Sequence, residues 1–352
     1  MQNKELVLNQ LLSYTEDEKI YKTYYELRNA PEKQEEYVQS LDRNFIIQHN
    51  ILLPNFPEVY FPEELQEQDL HFNFGDISNR FVFLNKHYRY TPVIEHSHDY
   101  FEIIYMLRGS CHQMLGGENL PLHQGDICFI PPHTKHTLEI FDDSVAINIT
   151  VRRSKFQEIF LSNMRQGSLL THFFLSSLYS KRPMRRIVFS TGLDTQIEDT
   201  ILSMYLENIS DDEYSSQVLD HMLPLLFINI QRKYSKSASV IDGTSATNPA
   251  AMKLIEYINS NSTVISLNEL ADHFHYSVSH CSRLIKEETG MTYTAFLRHL
   301  RMSKAATMLL NSNNSVAYIS ELMGFLNTET FIRTFQKEFH ETPTQYRKHY
   351  KN

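Results

Sequence analysis

The sequence predicts an α+β protein of several domains, with a small antiparallel β-barrel flanked by helices and an all-α domain at the C-terminus. Short apolar runs punctuated by Gly, Pro, Asn and Asp occupy residues 76–152 and are typical of a barrel or sandwich. Elsewhere, apolar residues recur at the three- and four-residue intervals of helices. A chain of 352 residues is long enough for two or three such domains.

Composition places the chain among ordinary globular proteins, since 41% of its residues are hydrophobic and 21% are charged. No apolar run approaches the roughly 18 residues that a membrane-spanning helix needs, and the polar N-terminus is unlike a signal peptide. Three scattered cysteines, Cys111, Cys128 and Cys281, indicate reduced thiols rather than a disulfide framework. We therefore expect a cytoplasmic protein with no membrane partner.

Charge is distributed unevenly along the chain. The net charge of −9 is unusual for a nucleic-acid binder. Residues 249–352, however, contain 11 Lys or Arg and 9 Asp or Glu, a net charge of +2, so the rest of the chain carries −11. This asymmetry is compatible with an acidic domain joined to a DNA-binding one.

Five segments follow from these patterns. They are a helical N-terminal extension at 1–75, a barrel at 76–152, a helical region at 153–236 that is a candidate for dimerisation, a polar linker at 237–249 and a helical domain at 250–352. The apolar runs expected to form strands are Phe81–Leu84, Tyr100–Leu107, Ile127–Ile130, Val145–Val151 and Arg186–Phe189. The extension predicts a helical layer packed on the next domain.

An apolar stripe in the helical region has two interpretations. Its members lie three or four residues apart and are Leu219, Met222, Leu223, Leu226, Phe227 and Ile230. The stripe is either a dimer seam or a face buried within its own subunit. Pro224 lies inside it and argues against a long straight coiled coil.

The C-terminal segment contains two helix-turn-helix patterns, Leu267–Lys286 and Val316–Lys337. Leu270 aligns with Ile319 at an offset of 49, and Arg283 aligns with Arg333 at an offset of 50. The second unit therefore has one extra residue near its turn. A duplicated element of this kind predicts DNA binding.

In the first unit we expect Ser277 to cap the second helix, whose buried face includes Cys281, Leu284 and Ile285. The residues of that helix predicted to bind DNA are Ser279, His280, Ser282, Arg283 and Lys286.

In the second unit Gly324 suits a turn with positive φ, and Asn327 or Thr328 would cap the following helix. Phe331 and Phe335 should face the core. The predicted DNA-binding residues are Thr328, Glu329, Ile332, Arg333 and Lys337. Arg283 and Arg333 would read guanine or contact phosphate. A helix over Phe296–Leu310 would hold the two units about 34 Å apart, one turn of DNA.

Residues Ser266–Tyr350 resemble the DNA-binding domain of the AraC/XylS family of bacterial transcription regulators. The matching motifs are Ser282-Arg283-Leu284, Arg301-x-x-x-Ala305, Gly324-Phe325, Phe331-x-x-x-Phe335 and Thr342-Pro343-x-x-Tyr346-Arg347. Ser320 replaces a usual Ala, and His340 stands where Gly is typical. The resemblance implies a non-enzymatic, effector-responsive regulator of double-stranded promoter DNA. It also implies a homodimer, which would contact RNA polymerase if it activates transcription.

Four polar residues in the barrel segment are candidate ligands. His96, His98 and Glu102 share one parity along a strand and should face one side, and His136 would return to that side after a proline turn. Their spacing resembles the cupin signature over about residues 80–151, although His133 and Ile140 depart from it. Cupin-like barrels are also common sensor domains in the AraC family, so the two resemblances agree.

Three interpretations of this barrel remain open. His96, His98, Glu102 and His136 could hold a divalent transition metal such as Zn(II), Fe(II), Mn(II) or Ni(II). They could instead bind a small effector without metal, or do neither. Two alternative functions accompany them, namely a metal-dependent cupin enzyme fused to a DNA-binding domain and a regulator controlled by a protein partner.

Overall fold

The computed structural model describes residues 2–54, 56, 59, 62–67, 80–156, 167–210, 212–241, 248–263 and 265–350. The chain divides into two units. Unit 1 comprises residues 1–153 and 185–241, and unit 2 comprises residues 154–184 and 242–352. None of the helices in the described ranges is long and apolar enough to cross a membrane.

The strands lie in unit 1 and are β1 (Glu64–Leu65), β2 (Val82–Lys86), β3 (Ser97–His98), β4 (Phe101–Arg108), β5 (Ser110–Leu115), β6 (Glu118–His123), β7 (Asp126–Ile130), β8 (His136–Glu139), β9 (Val145–Val151), β10 (Arg186–Ser190) and β11 (Ser239–Ile241). The helices, which occur in both units, are α1 (Gln2–Leu12), α2 (Glu16–Glu26), α3 (Pro31–Ser40), α4 (Arg43–Gln48), α5 (Arg153–Phe156), α6 (Leu169–Tyr179), α7 (Thr195–Ser210), α8 (Ser215–Tyr234), α9 (Pro249–Asn261), α10 (Leu267–Phe274), α11 (Val278–Thr289), α12 (Tyr293–Asn311), α13 (Val316–Leu322), α14 (Thr328–Phe339) and α15 (Pro343–Tyr350).

Two antiparallel sheets form the barrel of unit 1. One has six strands in the order β11-β10-β7-β4-β9-β2, and the other has three in the order β6-β5-β8. An apolar cluster joins them, with Ile104 and Ala146 from the larger sheet and Leu115 and Leu138 from the smaller. The two sheets therefore face each other across a shared core. Each predicted strand is present.

The N-terminal helices belong to the same unit as the barrel. Thr15 begins α2 with a capping box that also uses the Glu18 side chain. The fully buried Glu18 carboxylate accepts hydrogen bonds from Lys86 Nζ at 2.7 Å and from Arg89 Nη2 at 2.8 Å. These paired charges fix the extension to the end of strand β2, because a buried carboxylate needs its partners.

Five of the six residues in the apolar stripe of α8 are buried within their own unit, which is one of the two predicted alternatives, and the sixth, Met222, is half-buried. Leu219, Leu223, Leu226, Phe227 and Ile230 are all at most 1% exposed. The Phe227 ring packs edge-on against Phe129 of the barrel at 5.4 Å between centroids. The stripe therefore serves as the inner face of α8, which continues as a helix through Pro224.

Two predicted segments are organised differently from the sequence expectation. The region 153–236 is divided, with α6 in unit 2 and β10, α7 and α8 in unit 1. Part of the linker predicted at 237–249 is the strand β11, which pairs antiparallel with β10. Val240 and Ile241 are β-branched residues that suit a strand, and β10 offers them a free edge. Residues 242–247 lie outside the described residues.

Unit 2 is helical and carries both helix-turn-helix units on the linking helix α12. Helices α10 and α11 form the first unit, and α13 and α14 form the second. An apolar cluster around the second helix-turn-helix unit includes Leu309, Ile319, Phe331 and Phe335, all fully buried. The helix predicted over Phe296–Leu310 is confirmed, and α12 extends beyond it at both ends.

Candidate functional site

The first recognition helix, α11, begins where the sequence predicts. Ser277 is its N-cap, and Ser277 Oγ accepts a hydrogen bond from the His280 backbone N–H at 3.2 Å. The preceding helix ends at His275, whose φ of 55° turns the chain sharply. Cys281 and Ile285 are fully buried, and Leu284 is 5% exposed. The predicted buried face is therefore confirmed.

The opposite face of α11 carries the side chains predicted to bind DNA. Ser279, Arg283 and Lys286 are exposed, whereas His280 and Ser282 are half-buried. Arg283 Nη2 lies 3.0 Å from His280 Nδ1, so an Nδ1 that carries no proton would accept from the guanidinium and hold it along the helix. Their role as DNA contacts stays a prediction.

The second recognition helix, α14, is capped by Asn327, one of the two predicted residues. Asn327 Oδ1 accepts a hydrogen bond from Glu329 N–H at 2.7 Å. Gly324 has the expected positive φ, at 75°, and a Cβ there would lie only 2.7 Å from the Thr263 carbonyl oxygen. Phe331 and Phe335 are fully buried, as predicted.

The outer face of α14 matches the sequence expectation in part. Glu329, Arg333 and Lys337 are exposed, and Thr328 is half-buried. Ile332 packs against the apolar core, so less of it is available to DNA than its position in the sequence suggested. Sequence reasoning missed Thr330, which is exposed in the first turn. Choosing Asn327 as the cap would have revealed it, because the cap fixes which residues occupy that turn.

Basic residues of α12 and α15 stabilise the helices that link the two helix-turn-helix units. Arg301 donates hydrogen bonds to the Ser262 and Thr263 carbonyl oxygens at 2.7 and 3.1 Å. Arg347 donates to the carbonyl oxygens of Leu309 and Asn314 at 3.0 and 2.6 Å. These contacts join the helix ends to the linking helix, so the frame between the two recognition helices is braced at both ends.

In the barrel, three of the four predicted ligands come together. Nε2 of His98 lies 3.3 Å from Glu102 Oε2, and Nε2 of His136 lies 3.0 Å from the same oxygen. The three residues are each at most 8% exposed. The half-buried ring of His96 lies tilted against that of His136, at 4.4 Å between ring centroids, but His96 lies outside the tight group.

Backbone carbonyls orient all three imidazoles. The Nδ1 atoms of His96, His98 and His136 lie 2.8–3.1 Å from the carbonyl oxygens of Ile94, Tyr100 and Thr134. A carbonyl only accepts, so each Nδ1 carries a proton and each Nε2 of a neutral ring holds a lone pair. A carboxylate oxygen also only accepts, so each Nε2 atom that faces Glu102 needs a proton to donate to it, or the three groups need a shared metal ion.

The electrostatics of the group favour a charged carboxylate. Burial alone would raise the pKa of Glu102, but hydrogen bonds from His136 and His98 hold that pKa well below its usual value. Burial would lower the pKa of His136, yet the Glu102 hydrogen bond and charge raise it overall. Burial, together with the charge of His136, lowers the pKa of His96 to about 4.

A cavity of about 410 Å³ adjoins this group within unit 1. His96, Glu102 and His136 line it, and the other barrel residues in its wall include Leu84, Asn85, Lys86, His87, Tyr100, Ile104, Leu138 and Asn148. The N-terminal extension supplies part of the wall through Gln10, Leu11, Thr15, Tyr21, His49, Asn50 and Leu52. A volume of this size suits a small molecule.

Unpaired polar atoms in the cavity wall were missed at the sequence level. Asn85 and Asn148 are neighbours across strands β2 and β9, and the Oδ1 atom of each has no hydrogen-bond partner among the described residues. The same holds for Nε2 of His87, and burial lowers the pKa of that ring to about 4. Two asparagines inside otherwise apolar strands are the signal that was available in the sequence. Buried polar atoms normally have partners, so these residues indicate a place for a polar ligand.

A divalent metal also fits part of this site. The ligand atoms of His98, Glu102 and His136 all lie within 4.8 Å of one another. Two imidazoles and one carboxylate form a common donor set for Fe(II), Mn(II) or Zn(II). Nδ1–H groups bonded to carbonyls are also the usual outer support of metal-binding histidines.

Both halves of the chain match known protein families. Residues 81–223 match the AraC-like ligand binding domain, and residues 270–349 match a helix-turn-helix domain. The first match covers the barrel and the cavity walls that it supplies. The second covers both helix-turn-helix units.

Curated relatives are similar to this chain over 72% of its length. The transcriptional activator RhaS of Escherichia fergusonii is 25% identical over 262 residues, which cover 72% of this chain and 87% of the relative. RhaS of Yersinia pestis is 27% identical over 254 residues, 72% of this chain and 88% of the relative.

Solved structures include two similar chains. The C-terminal domain of the response regulator AraT from Geobacillus stearothermophilus is 29% identical, with a TM-score of 0.29, over 31% of this chain and 91% of that one. ToxT from Vibrio cholerae with a bound unsaturated fatty acid is 16% identical, with a TM-score of 0.30, over 76% of this chain and 94% of that one.

Proposed function

The chain belongs to the AraC/XylS family of transcriptional regulators, and we propose that it reads promoter DNA with α11 and α14 in response to a small molecule bound in the barrel cavity. One observation carries this proposal. The same chain contains two capped recognition helices on a braced linking helix and a cavity with unpaired polar atoms.

For DNA recognition, Arg283 and Arg333 are the proposed base readers. Each is exposed in the middle of a recognition helix, and a guanidinium can donate two hydrogen bonds to guanine. Lys286 and Lys337 lie one turn later and would contact phosphate, which favours binding without specifying sequence. The remaining predicted contacts are Ser279, His280, Ser282, Thr328, Glu329 and Ile332.

Polar groups in the cavity wall would hold the effector by hydrogen bonds. The Asn85 and Asn148 oxygens need hydrogen-bond donors, and His96, Glu102 and His136 line the same space. An effector that fills this site adds contacts to unit 1. If it binds more tightly to one DNA-binding state, then effector and operator must change each other's affinity by the same factor.

The wider partners are also proposals. The curated relatives are named activators, so we propose activation, with RNA polymerase as a partner, in the cytoplasm where promoter DNA lies. A homodimer remains our expectation. The α8 stripe is buried, and we propose that the exposed Val218, Leu225 and Ile228 on the other side of that helix supply the contact.

A metal-dependent enzyme is the second candidate function, favoured by the His98–Glu102–His136 group. These residues would hold a divalent ion, which would supply a Lewis acid beside the cavity. Elemental analysis of the purified full-length chain tests this. A stoichiometric metal that is lost in His98→Ala would support it, whereas no metal and no uptake of added Fe(II), Mn(II) or Zn(II) would end it.

The experiment for the main proposal begins with a thermal-shift screen of sugars, polyols and organic acids, because a ligand of the native fold raises the melting temperature. A hit should change DNA affinity in an anisotropy titration. His96→Ala and Glu102→Ala should abolish that change and keep DNA binding. No hit, combined with a DNA affinity that responds only to an added protein, would favour control by a protein partner instead.

A further inference from the structure

Helix α6 is a helix of unit 2 that comes from the stretch matched by the ligand-binding family. It lies in sequence between β9 and β10, which are both strands of the barrel, and within the matched range 81–223. Its residues nevertheless group with the helix-turn-helix units. The chain thus leaves the barrel sheet, packs a helix in the DNA-binding unit and returns to the same sheet.

The start and middle of α6 are held firmly in unit 2. Ser168 caps the helix by accepting from Thr171 N–H. Just before it, the Gly167 N–H donates to Glu256 Oε1 of α9 at 2.5 Å. Phe173 is fully buried, and the Tyr179 ring packs edge-on against Phe296 of α12 at 5.2 Å. These contacts tie α6 to the helices on either side of the first helix-turn-helix unit.

The end of α6 reaches the first recognition helix itself. Lys181 N–H donates to the Glu288 carbonyl oxygen at 2.8 Å, and the Ser180 hydroxyl donates to the Glu288 carboxylate. Glu288 lies in the last turn of α11, where backbone carbonyls lack partners within the helix. A Cβ on Gly290, which ends α11, would lie 2.3 Å from the Lys181 side chain. The end of α6 therefore packs against the end of α11.

Glu288 is the centre of this contact. It is 8% exposed, and its second carboxylate oxygen lies 3.4 Å from the Asn248 N–H at the start of α9. One carboxylate thus joins the end of α6, the start of α9 and the recognition helix. Charge-assisted hydrogen bonds of this kind fix position as well as adding stability.

We infer that α6 is a positioning element for the first recognition helix, acting through Ser180 and Glu288, and that it connects the barrel strands to that helix. This inference rests on the proposed function, because the barrel can regulate DNA binding along this route only if the chain is an effector-responsive regulator. Glu338, which aligns with Glu288 in the second unit, instead accepts from His299 Nδ1 of the linking helix at 2.7 Å.

The test uses the full-length chain and an operator enriched from a random duplex library by that chain. Hydroxyl-radical footprinting would compare Ser180→Ala and Glu288→Gln with the matched control Glu338→Gln. We expect the first two variants to lose protection in the groove bound by α11, to keep it in the groove bound by α14, and to bind about tenfold more weakly. Ser180→Thr, which keeps the hydroxyl, should restore protection.

Hydrogen exchange of the same complexes supplies a readout that a merely stabilising contact would not change. DNA binding should slow exchange in residues 169–190, and this effect should disappear in Glu288→Gln. Unchanged footprints for Ser180→Ala and Glu288→Gln, or equal losses in both grooves, would overturn the inference. Hydrogen exchange in residues 169–190 that is unchanged by DNA binding would also overturn it. A wild-type chain that enriches no operator would instead refute the proposed function.

Discussion

The two helix-turn-helix units share a design but differ in what holds the end of the recognition helix. Helix α11 ends at Gly290, with φ of 78°, and α14 ends at the aligned His340, with φ of 62°. The first end contacts Lys181, from the stretch matched by the ligand-binding family, whereas Glu338 in the second pairs with the linking helix. The two helix-turn-helix units thus share their N-caps and buried faces, while the ends of their recognition helices make different contacts.

The largest difference expected between the units concerns their cores. Cys281 of α11 aligns with Phe331 of α14, and both are fully buried. Phe331→Ala should cost about 3–5 kcal/mol because it leaves a large cavity, whereas Cys281→Ala should cost roughly 1 kcal/mol because it removes one small group. Urea unfolding monitored by hydrogen exchange in α10–α14 measures both. Equal losses of unfolding free energy in the two variants would contradict the prediction that the larger buried side chain contributes more stability.

DNA affinity provides the next contrast. Arg283→Ala and Arg333→Ala should each cost about 1–3 kcal/mol of binding and relax specificity at one position if they read bases. Anisotropy titrations against an enriched operator and its single-base variants measure this. Lys253→Ala, an exposed cation of α9, serves as the control. A uniform loss on all sequences, with a flatter salt dependence, would identify phosphate contacts instead.

Substitutions at the C-terminal ends of α11 and α14 should change stability in opposite directions. His340 adopts a left-handed conformation that costs a non-glycine residue roughly 1–2 kcal/mol, so His340→Gly should raise stability by about 1 kcal/mol. Gly290→Ala should lower stability by a similar amount, because it introduces strain and meets Lys181. Thermal unfolding of each variant measures this. A neutral or destabilising His340→Gly would show that the imidazole makes a compensating contact.

The smallest contrast lies in the first helices of the two units, where Ala271 aligns with Ser320. Ser320 is 1% exposed, and its hydroxyl has no partner among the described residues. Ser320→Ala should therefore stabilise the chain by about 1 kcal/mol, and Ala271→Ser should destabilise it similarly. If thermal unfolding shows that Ser320→Ala loses stability, an unseen water or partner must satisfy the hydroxyl.

Local signals were sufficient to predict both helix-turn-helix units. Ser277, Gly324 and Asn327 act within a few residues of themselves, so a cap or a turn can be read directly from the sequence. The barrel strands were predictable for the same reason, since short apolar runs and turn residues are local. The buried faces of α11 and α14 followed from helical periodicity.

Contacts between distant segments could not be predicted in this way. The place of α6 in unit 2 depends on Glu256 and Glu288, about 90 and 110 residues beyond their partners. The α8 stripe had the pattern of a dimer seam, and only the barrel core shows which surface covers it. The N-terminal wall of the cavity is held in place by the ion pair between Glu18 and Arg89. No short sequence motif predicts this pair.

Under the proposed function, two recognition helices held by one linking helix bind DNA together. Selection of the full-length chain against a random duplex library at moderate salt tests it most directly. The enriched sequences should contain two preferred blocks about one helical turn, or 10 base pairs, apart, and both blocks should be needed for tight binding. Enrichment of no sequence, or equal affinity for the enriched and random duplexes, would contradict the account.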